Sequence, residues 1–321
     1  MHSGETRKEL IRSLQSQRRI GFICHIRPDG DTLGAALALR LAMLALGKEA
    51  IVYCQDKVPE KLAFLPGAET IVHDAAALET CDVIGAIDCA APDRLGEALT
   101  VFEKKENFCL DHHGTNPLYA RVNWVEECSA ASLLAQELIE DLGVTLDADM
   151  ADCLYTGIIT DTGRFAYSLT EPRALIATAK LMEVGAHFTE LQEQLFRIGT
   201  YAERRLLGEC LCTLETPDEG RFYLLTLTDE MFERAHALPE DAEGFVNYAL
   251  DIRGTQASAL ISQSKDGWKV SLRSRGDLYV NGVAQAFGGG GHPNAAGCTL
   301  HGTLEEAKAA LLAELGRQGI L

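Results

Sequence analysis

Residues 19–31 read RIGFICHIRPDGD, and this stretch decides the fold of the first half of the chain. The apolar run over 19–25 predicts a buried strand, and the Pro-Asp-Gly sequence behind it predicts a tight turn. An apolar helix is predicted over 32–46, and Gly47 ends it. Such a strand-turn-helix unit is typical of a parallel sheet, in which ligands bind at the carboxyl ends of the strands.

The same alternation continues along the chain. Further strands are predicted over 49–54, 70–72, 82–87 and 107–110, and helices over 5–17, 130–142, 148–159, 172–184 and 202–214. Alternating strands and helices predict an α/β fold with a parallel sheet and helices on both of its faces.

A smaller α/β domain is predicted behind the helical stretch. Its strands are expected over 222–226, 256–262 and 268–273, followed by a glycine cluster and a helix over 304–315. We expect a catalytic domain over 1–190, a helical linker over 191–214 and a substrate-binding domain over 215–321. The length of 321 residues fits two domains, because single cores stop growing near about 250–300 residues.

The composition limits the partners. A net charge of −18 argues against binding to long duplex nucleic acid, which depends on clustered Lys and Arg. A small phosphorylated substrate is compatible with this charge if divalent cations are present.

No apolar run approaches the roughly 20 residues of a membrane helix, and the ten cysteines form no CxxC pair. We expect a cytoplasmic protein with reduced thiols and no membrane partner, and a homodimer is compatible with the sequence.

Acidic and histidine residues gather where predicted strands and one apolar helix end. They are His25, Asp29, Asp31, Asp88, Asp111, His112, His113 and Asp161. Taken singly, Asp31 would be a helix cap, Asp29 a turn residue and Asp161 a solvated helix end. Because the ends of parallel strands face one crevice, we expect these side chains to converge.

Converging carboxylates indicate a metal site, since they would repel one another unless a cation neutralised them. Carboxylate and imidazole ligands without cysteine suit Mn²⁺ best, with Mg²⁺, Fe²⁺ or Co²⁺ as weaker alternatives. Six or seven ligands are too many for one ion. We therefore expect two ions about 3.5–4 Å apart that share a bridging carboxylate.

Four short motifs carry a family resemblance. In chain order, HIRPDGD, ID, DHH and TDTGRF resemble the signature motifs of the DHH phosphoesterases. The resemblance implies that Asp88 bridges two metal ions. It implies further metal ligands at His25 and Asp29 for the first ion and at Asp31, His112 and Asp161 for the second.

The same resemblance implies the candidate catalytic residues, which are Asp88, Asp111 and His113. Asp111 would not bind a metal ion itself but would orient an imidazole through a hydrogen bond. His113 would face the scissile phosphate as an acid or as a stabiliser of charge.

Residues 287–297 read FGGGGHPNAAG, where glycines let the backbone approach a ligand and offer N–H groups to an anion. An isolated glycine run would be equally consistent with a flexible turn. The segment resembles the motif of the DHH-associated domain, and VSLRSR over 270–275 resembles the arginine strand before it. The resemblance implies a nucleotide site formed by Arg273, Ser274, Arg275, Gly289, Gly290, Gly291 and His292.

By resemblance, the two-domain layout implies a hydrolase with two kinds of substrate. It would degrade single-stranded RNA of about two to five nucleotides, held by one end, to mononucleotides. It would also dephosphorylate 3′-phosphoadenosine 5′-phosphate. The alternatives are a phosphodiesterase for cyclic di-AMP or its linear product pApA, a family II inorganic pyrophosphatase, and a nucleotide sensor without catalysis.

Overall fold

The apolar run behind the N-terminal helix forms an inner strand of a five-stranded sheet. The structure is a computed structural model that describes residues 3–196, 199–218 and 220–321. The strands of this sheet are β1 (Arg19–Cys24), β2 (Glu49–Tyr53), β3 (Val83–Ile87), β4 (Glu106–Asp111) and β5 (Val122–Val125). Their order is β2-β1-β3-β4-β5, and every neighbouring pair is parallel.

Helices surround this sheet. They are α1 (Ser3–Ser16), α2 (Gly30–Ala45), α3 (Leu99–Lys104), α4 (Ala131–Asp141), α5 (Ala148–Asp161), α6 (Pro172–Val184) and α7 (Phe188–Phe196). Short 3₁₀ helices lie at Glu60–Leu62, Ala68–Thr70, Ala75–Thr80 and Pro92–Ala98.

The sheet has an apolar cluster on each face, as strand alternation requires. Phe22 of β1 packs in the cluster with α1, α2, α4 and α5, and its neighbour Ile23 packs in the other cluster with α3. The predicted parallel sheet with both faces covered is confirmed.

Two strand predictions need correction. The segment over 70–72 is not a strand, because only Val72 pairs, in a single bridge to Tyr53, and Ala68–Thr70 is a 3₁₀ helix. Strand β5 was not predicted, because four residues are too short for a pattern to stand out from the surrounding loop.

The second half of the chain contains another five-stranded sheet, of order β6-β7-β8-β10-β9. Its strands are β6 (Phe222–Leu227), β7 (Ala257–Ser264), β8 (Gly267–Ser274), β9 (Gly290–His292) and β10 (Ala295–Leu300). Only the pair of β6 and β7 is parallel among these described strands. The last two strands were not predicted, because glycine and alanine give them the composition of a loop.

Helices cover this second sheet. They are α8 (Tyr201–Leu211), α9 (Asp229–Ala235), α10 (Phe245–Leu250), α11 (Asn281–Ala286) and α12 (Leu304–Arg317), with a 3₁₀ helix at Pro239–Ala242. One apolar cluster lies beneath α11 and α12, and a second contains residues of α8 and α10 with Leu225 and Leu227 of β6.

The chain divides into two compact units, Met1–Ile198 and Gly199–Leu321. Helix α8, which was predicted as part of the linker over 191–214, therefore lies in the second unit. Its residues Leu206 and Cys210 are fully buried in an apolar cluster of that unit, which fixes the helix there. Across the parts of the chain that are described, the structure has no helix long and apolar enough to cross a bilayer.

Candidate metal centre

Three neighbouring parallel strands deliver the acidic and histidine residues to one edge of the first sheet. His25 follows β1, Asp88 follows β3, and Asp111 is the last residue of β4. Because β1, β3 and β4 are adjacent and parallel, their carboxyl ends lie side by side. The convergence that strand order predicts is therefore present.

A close helix crossing brings in two more carboxylates, one from each helix. A Cβ atom on Gly34 of α2 would lie 2.3 Å from the Cys153 carbonyl oxygen of α5, so only glycine permits this approach. The crossing places Asp31, in the first turn of α2, near Asp161, the last residue of α5. Both carboxylates lie in one group with His112.

The potential ligand atoms of the described residues form three groups that could each hold a metal ion. In each group, one ligand atom from every residue lies within 4.8 Å of the others. The first group is His25, Asp29 and Asp88, and the second is Asp31, His112 and Asp161. Asp88 joins them, since its carboxylate oxygens lie 3.6 Å from His25 Nε2 and 3.4 Å from His112 Nε2.

A third group contains Asp88, His112 and His113. The atom of His113 that faces Asp88 is Nδ1, 3.6 Å from Asp88 Oδ1, and this same atom lies 2.8 Å from Asp111 Oδ1. A ring nitrogen bonded to Asp111 is not available to a metal ion. His113 therefore fits an orientation by Asp111 better than metal ligation.

Asp88 has the environment of a residue that needs a cation. Its side chain is 3% exposed, and its Oδ1 atom is buried with no hydrogen-bond partner among the described residues. Its backbone has a φ of 56°, a left-handed conformation that costs energy outside glycine and concentrates at functional sites. Burial opposes the charged form of this carboxylate, but the neighbouring imidazoles of His112 and His25 lower the pKa of Asp88, so it carries a buried negative charge that a cation at this position would also stabilise.

The side chain that caps α2 is Asp29 and not Asp31, which was the expected cap. Its Oδ1 atom accepts hydrogen bonds from the backbone N–H groups of Asp31 and Thr32, at 3.1 and 3.2 Å, and so caps α2. Its Oδ2 atom lies 3.4 Å from His25 Nε2. The cap and the candidate metal ligand use different oxygens of one carboxylate.

Asp31 is fully buried and holds the start of α4. Its two oxygens accept backbone hydrogen bonds from Ala131 and Ser132, at 2.5 and 2.9 Å, where α4 has no capping side chain of its own. Burial, followed by the charges of Asp161 and Asp88, nevertheless raises the pKa of Asp31 well above its usual range. Burial also raises the pKa of Asp161 to about 6. The carboxylates together carry more negative charge than the backbone donors offset.

The candidate imidazole ligands are oriented by bonds at their other ring nitrogen. His112 Nδ1 lies 2.9 Å from the Cys128 carbonyl oxygen, and His25 Nδ1 lies 2.9 Å from the Ile26 carbonyl oxygen. Both rings therefore direct Nε2 toward the carboxylates. For His112 the carbonyl partner fixes both the ring and the tautomer, as is usual for histidines that bind metals, whereas His25 Nδ1 also lies 2.7 Å from Arg94 Nη2, so its partners orient the ring only.

Residues 19–158 match the DHH family, N-terminal domain, and residues 230–318 match the DHHA1 domain. Over 306 residues the chain is 37% identical to the bifunctional oligoribonuclease and PAP phosphatase NrnA of Thermus thermophilus. That alignment covers 92% of this chain and 90% of the relative. The chain belongs to the DHH family.

Two further comparisons agree with this DHH assignment. The protein of the same name from Bacillus subtilis is 25% identical over 300 residues, which cover 91% of this chain and 93% of the relative. The crystal structure of an exopolyphosphatase-related protein from Bacteroides fragilis matches with a TM-score of 0.94 and 26% identity, over 99% of this chain and 97% of that chain. The family resemblance and the two-domain fold are confirmed.

The predicted nucleotide-binding residues of the DHHA1 domain lie on and near β8 and β9. Gly290, Gly291 and His292 form β9, all three are exposed, and Gly291 has a φ of 140° that favours glycine. A Cβ atom there would lie 2.5 Å from the Ala295 carbonyl oxygen. The glycines thus permit β9 to pair closely with β10, besides leaving its backbone accessible.

Several polar groups of this segment bond within the DHHA1 domain. The Ser274 hydroxyl donates to the Leu278 carbonyl, and Asn294 Nδ2 lies 3.0 Å from Ser274 Oγ. Arg275 bonds to Asp251 at 2.9 Å. Arg273, half-buried, donates to the Leu272 carbonyl at 2.9 Å. Ser274 and Asn294 thus hold their own turn, a use that their sequence pattern did not predict.

Two residues near the metal centre were not predicted. Arg94 Nη2 lies 2.7 Å from His25 Nδ1, and Asn116 Nδ2 lies 2.6 Å from Asp111 Oδ2. Both lie outside the strands and the family motifs, so neither position carries a signal in the sequence alone.

Proposed function

We propose that this DHH protein hydrolyses short oligoribonucleotides to mononucleotides and dephosphorylates 3′-phosphoadenosine 5′-phosphate. The observation that carries the proposal is the pair of ligand groups joined by the buried Asp88. Paired sites of this kind are typical of enzymes that cleave phosphate esters. The relatives named NrnA support the substrates, since they match this chain across both domains.

We assign two Mn²⁺ ions to the centre, held by His25, Asp29, Asp31, Asp88, His112 and Asp161. The donor set fits, because it mixes carboxylates with imidazoles and contains no thiolate, and because Asp88 Oδ1 lacks a hydrogen-bond partner among the described residues. When bound, such ions would offset charge on the phosphate and lower the pKa of a water molecule. Mg²⁺ or Co²⁺ could occupy the same donors.

The remaining polar residues of the centre act on the substrate in this proposal. Asp111 keeps the proton on His113 Nδ1, which leaves Nε2 of that ring to hold a proton beside the leaving oxygen. In the DHHA1 domain, Arg273 is the main cation for a nucleotide phosphate. The other assigned contacts of that domain are Ser274, Arg275, Gly289, Gly290, Gly291 and His292.

The substrates can be tested with a panel of compounds at equal concentration in Mn²⁺. The panel contains a dinucleotide, a pentamer, a 24-mer, 3′-phosphoadenosine 5′-phosphate, cyclic di-AMP, pApA and pyrophosphate. We expect the highest initial rates on the dinucleotide, the pentamer and 3′-phosphoadenosine 5′-phosphate. Fastest cleavage of cyclic di-AMP or of pyrophosphate would contradict the proposal, and nucleotide binding without turnover would indicate a sensor.

The metal can be tested on protein stripped by a chelator. We expect activity to return best with Mn²⁺, and calorimetry to report two ions bound per chain. Preferential rescue by Ca²⁺, which favours oxygen ligands alone, would contradict the assignment.

We place this activity in the cytoplasm, as a homodimer or a monomer. All ten cysteines lie within the described residues and are free thiols, which a reducing compartment maintains. Sedimentation of the Mn²⁺-loaded protein would distinguish the two oligomeric states.

A further inference from the structure

The imidazole of His113 depends on a carboxylate that is itself held in place. Asp111 is fully buried at the end of β4, and its Oδ1 atom lies 2.8 Å from His113 Nδ1. The other carboxylate oxygen, Oδ2, points away from His113 and needs its own partner in this buried position. The partner is the side chain of Asn116.

Asn116 is fixed by hydrogen bonds at every polar atom of its amide. Its Nδ2 atom donates to Asp111 Oδ2 at 2.6 Å and to the Cys89 carbonyl oxygen at 3.1 Å. Its Oδ1 atom accepts from the backbone N–H of Leu118 at 2.8 Å. Because a carboxylate and a carbonyl can only accept, these partners determine which end of the amide carries the N–H groups.

The turn from His113 to Asn116 is closed by backbone groups. The backbone N–H of Asn116 already donates to the His113 carbonyl oxygen at 3.0 Å. The shortest bond of the side chain goes instead to Asp111. Asn116 therefore bonds to the backbone of His113 and to the carboxylate that orients the His113 ring.

We propose that Asn116 is a positioning residue for hydrolysis, which acts on His113 through Asp111. By holding Oδ2, it directs Oδ1 toward His113 Nδ1–H and leaves His113 Nε2–H facing the substrate. This role rests on the proposed function, in which water adds to phosphorus and the bond from phosphorus to the leaving oxygen breaks. The Nε2 proton passes to that leaving oxygen, and one proton of the water restores it.

The leaving group distinguishes this role from a purely structural one. A nucleoside oxygen needs a proton as it leaves, whereas p-nitrophenolate is stable without one. Loss of a residue that positions the proton donor should therefore slow cleavage of a dinucleotide more than cleavage of a nucleoside 5′-p-nitrophenyl phosphate. A general defect in folding or metal binding would slow both reactions equally.

The test compares Asn116→Ala with a matched control, Asn123→Ala, in the Mn²⁺-loaded full chain. Asn123 also holds a turn, through bonds of its amide to Ala120, and these bonds reach no residue of the metal centre. We expect Asn116→Ala to lower kcat on the dinucleotide by about 10- to 100-fold, which is the usual effect of removing a residue that orients an active-site side chain from behind. KM should change little, and kcat on the nitrophenyl ester should fall much less.

A second variant and a second measurement keep the test decisive. Asn116→Asp retains the acceptor for Leu118 N–H but removes the donor to Asp111, so it should show the same dependence on the leaving group. In nuclear magnetic resonance of the protein loaded with diamagnetic Mg²⁺ in place of paramagnetic Mn²⁺, the downfield Nδ1 proton of His113 should broaden or shift in both Asn116 variants and remain in Asn123→Ala. This readout requires no turnover.

Equal losses on both substrates, or an unchanged His113 proton signal, would overturn the role of Asn116. Failure of the proposed function has a different signature, since the wild-type chain would then cleave neither the dinucleotide nor the ester. In that case the His113 proton signal would still decide whether Asn116 orients the Asp111–His113 pair.

Discussion

The metal centre of the DHH domain and the glycine-rich segment of the DHHA1 domain hold their polar residues in opposite ways. In the metal centre, His25, Asp31 and Asp88 are buried, and Asp88 has an oxygen without a hydrogen-bond partner among the described residues. In the glycine-rich segment, Gly290 and His292 are exposed. A buried carboxylate needs a positive group beside it, either an imidazolium or a metal ion, whereas exposed donors can bind a ligand or solvent. Burial therefore restricts what the polar residues of the metal centre can bind, whereas the exposed residues of the glycine-rich segment are less restricted.

The largest effect is expected at Asp88, where the contrast is sharpest. Asp88→Asn keeps the shape of the side chain and a residue type that tolerates a positive φ, but removes the charge shared by both ligand groups. The rate of hydrolysis should fall by more than about 100-fold, which exceeds the effect of removing a residue that only hydrogen-bonds to a metal ligand. Calorimetry should report fewer Mn²⁺ ions per chain, with unchanged circular dichroism. Turnover near that of the wild type would refute the bridging role.

A smaller effect, dependent on the substrate, is expected at Arg273. Arg273→Ala should lower kcat/KM on a dinucleotide by about 10- to 100-fold, the value of one hydrogen bond to a charged group. Hydrolysis of bis-p-nitrophenyl phosphate should change little, because that compound lacks a nucleotide to recognise. Arg221→Ala serves as the control, because Arg221 is an exposed arginine that pairs with Asp218 beside the opposite edge strand β6. Equal losses on the two substrates would contradict a recognition role.

The smallest effect concerns stability and compares a helix glycine in each domain. A Cβ atom on Gly157 of α5 would lie 1.9 Å from Ser132 Oγ and 2.6 Å from Asp31 Oδ1, whereas one on Gly208 of α8 would contact nothing within 4 Å. Gly157→Ala should destabilise the protein by roughly 1–3 kcal/mol through overpacking. Gly208→Ala should stabilise it by about 0.5–1 kcal/mol, since alanine favours helices.

Urea unfolding of the metal-free variants would measure both changes. If the free energy of unfolding changed with the same sign in both variants, the tight packing of Gly157 against Ser132 and Asp31 would not be the cause of the difference.

The sheet of the DHH domain and its strand ends could be predicted because apolar runs and turn residues mark them. Residues 19–31 alone placed His25, Asp29 and Asp31 beyond a buried strand, and adjacency of parallel strands brought Asp88 and Asp111 to the same edge. The family motifs implied two sets of ligands, and the structure places His25, Asp29 and Asp88 in one group of potential ligands and Asp31, His112 and Asp161 in another. The order of parallel strands predicted where the candidate ligands lie, and the family resemblance predicted which of them share an ion.

What could not be predicted depends on contacts between distant or irregular segments. The bonds of Asp31 to α4 join residues 100 positions apart, and Asn116 reaches Asp111 from an irregular loop. Strands β9 and β10 have too few large side chains to show alternation. Ser274 is a predicted nucleotide contact, and its hydrogen bonds with Leu278 and Asn294 also hold the turn before α11.

The carboxylate of Asp31 caps α4 from 100 residues away, and this has a consequence for how the protein would register its own loading state. The same two oxygens belong to a candidate ligand group and accept hydrogen bonds from the first amides of a helix, so we expect gain or loss of an ion to change these backbone hydrogen bonds. The amide protons of Ala131 and Ser132 are thus natural reporters of occupancy, readable by hydrogen exchange in protein that has never met a substrate.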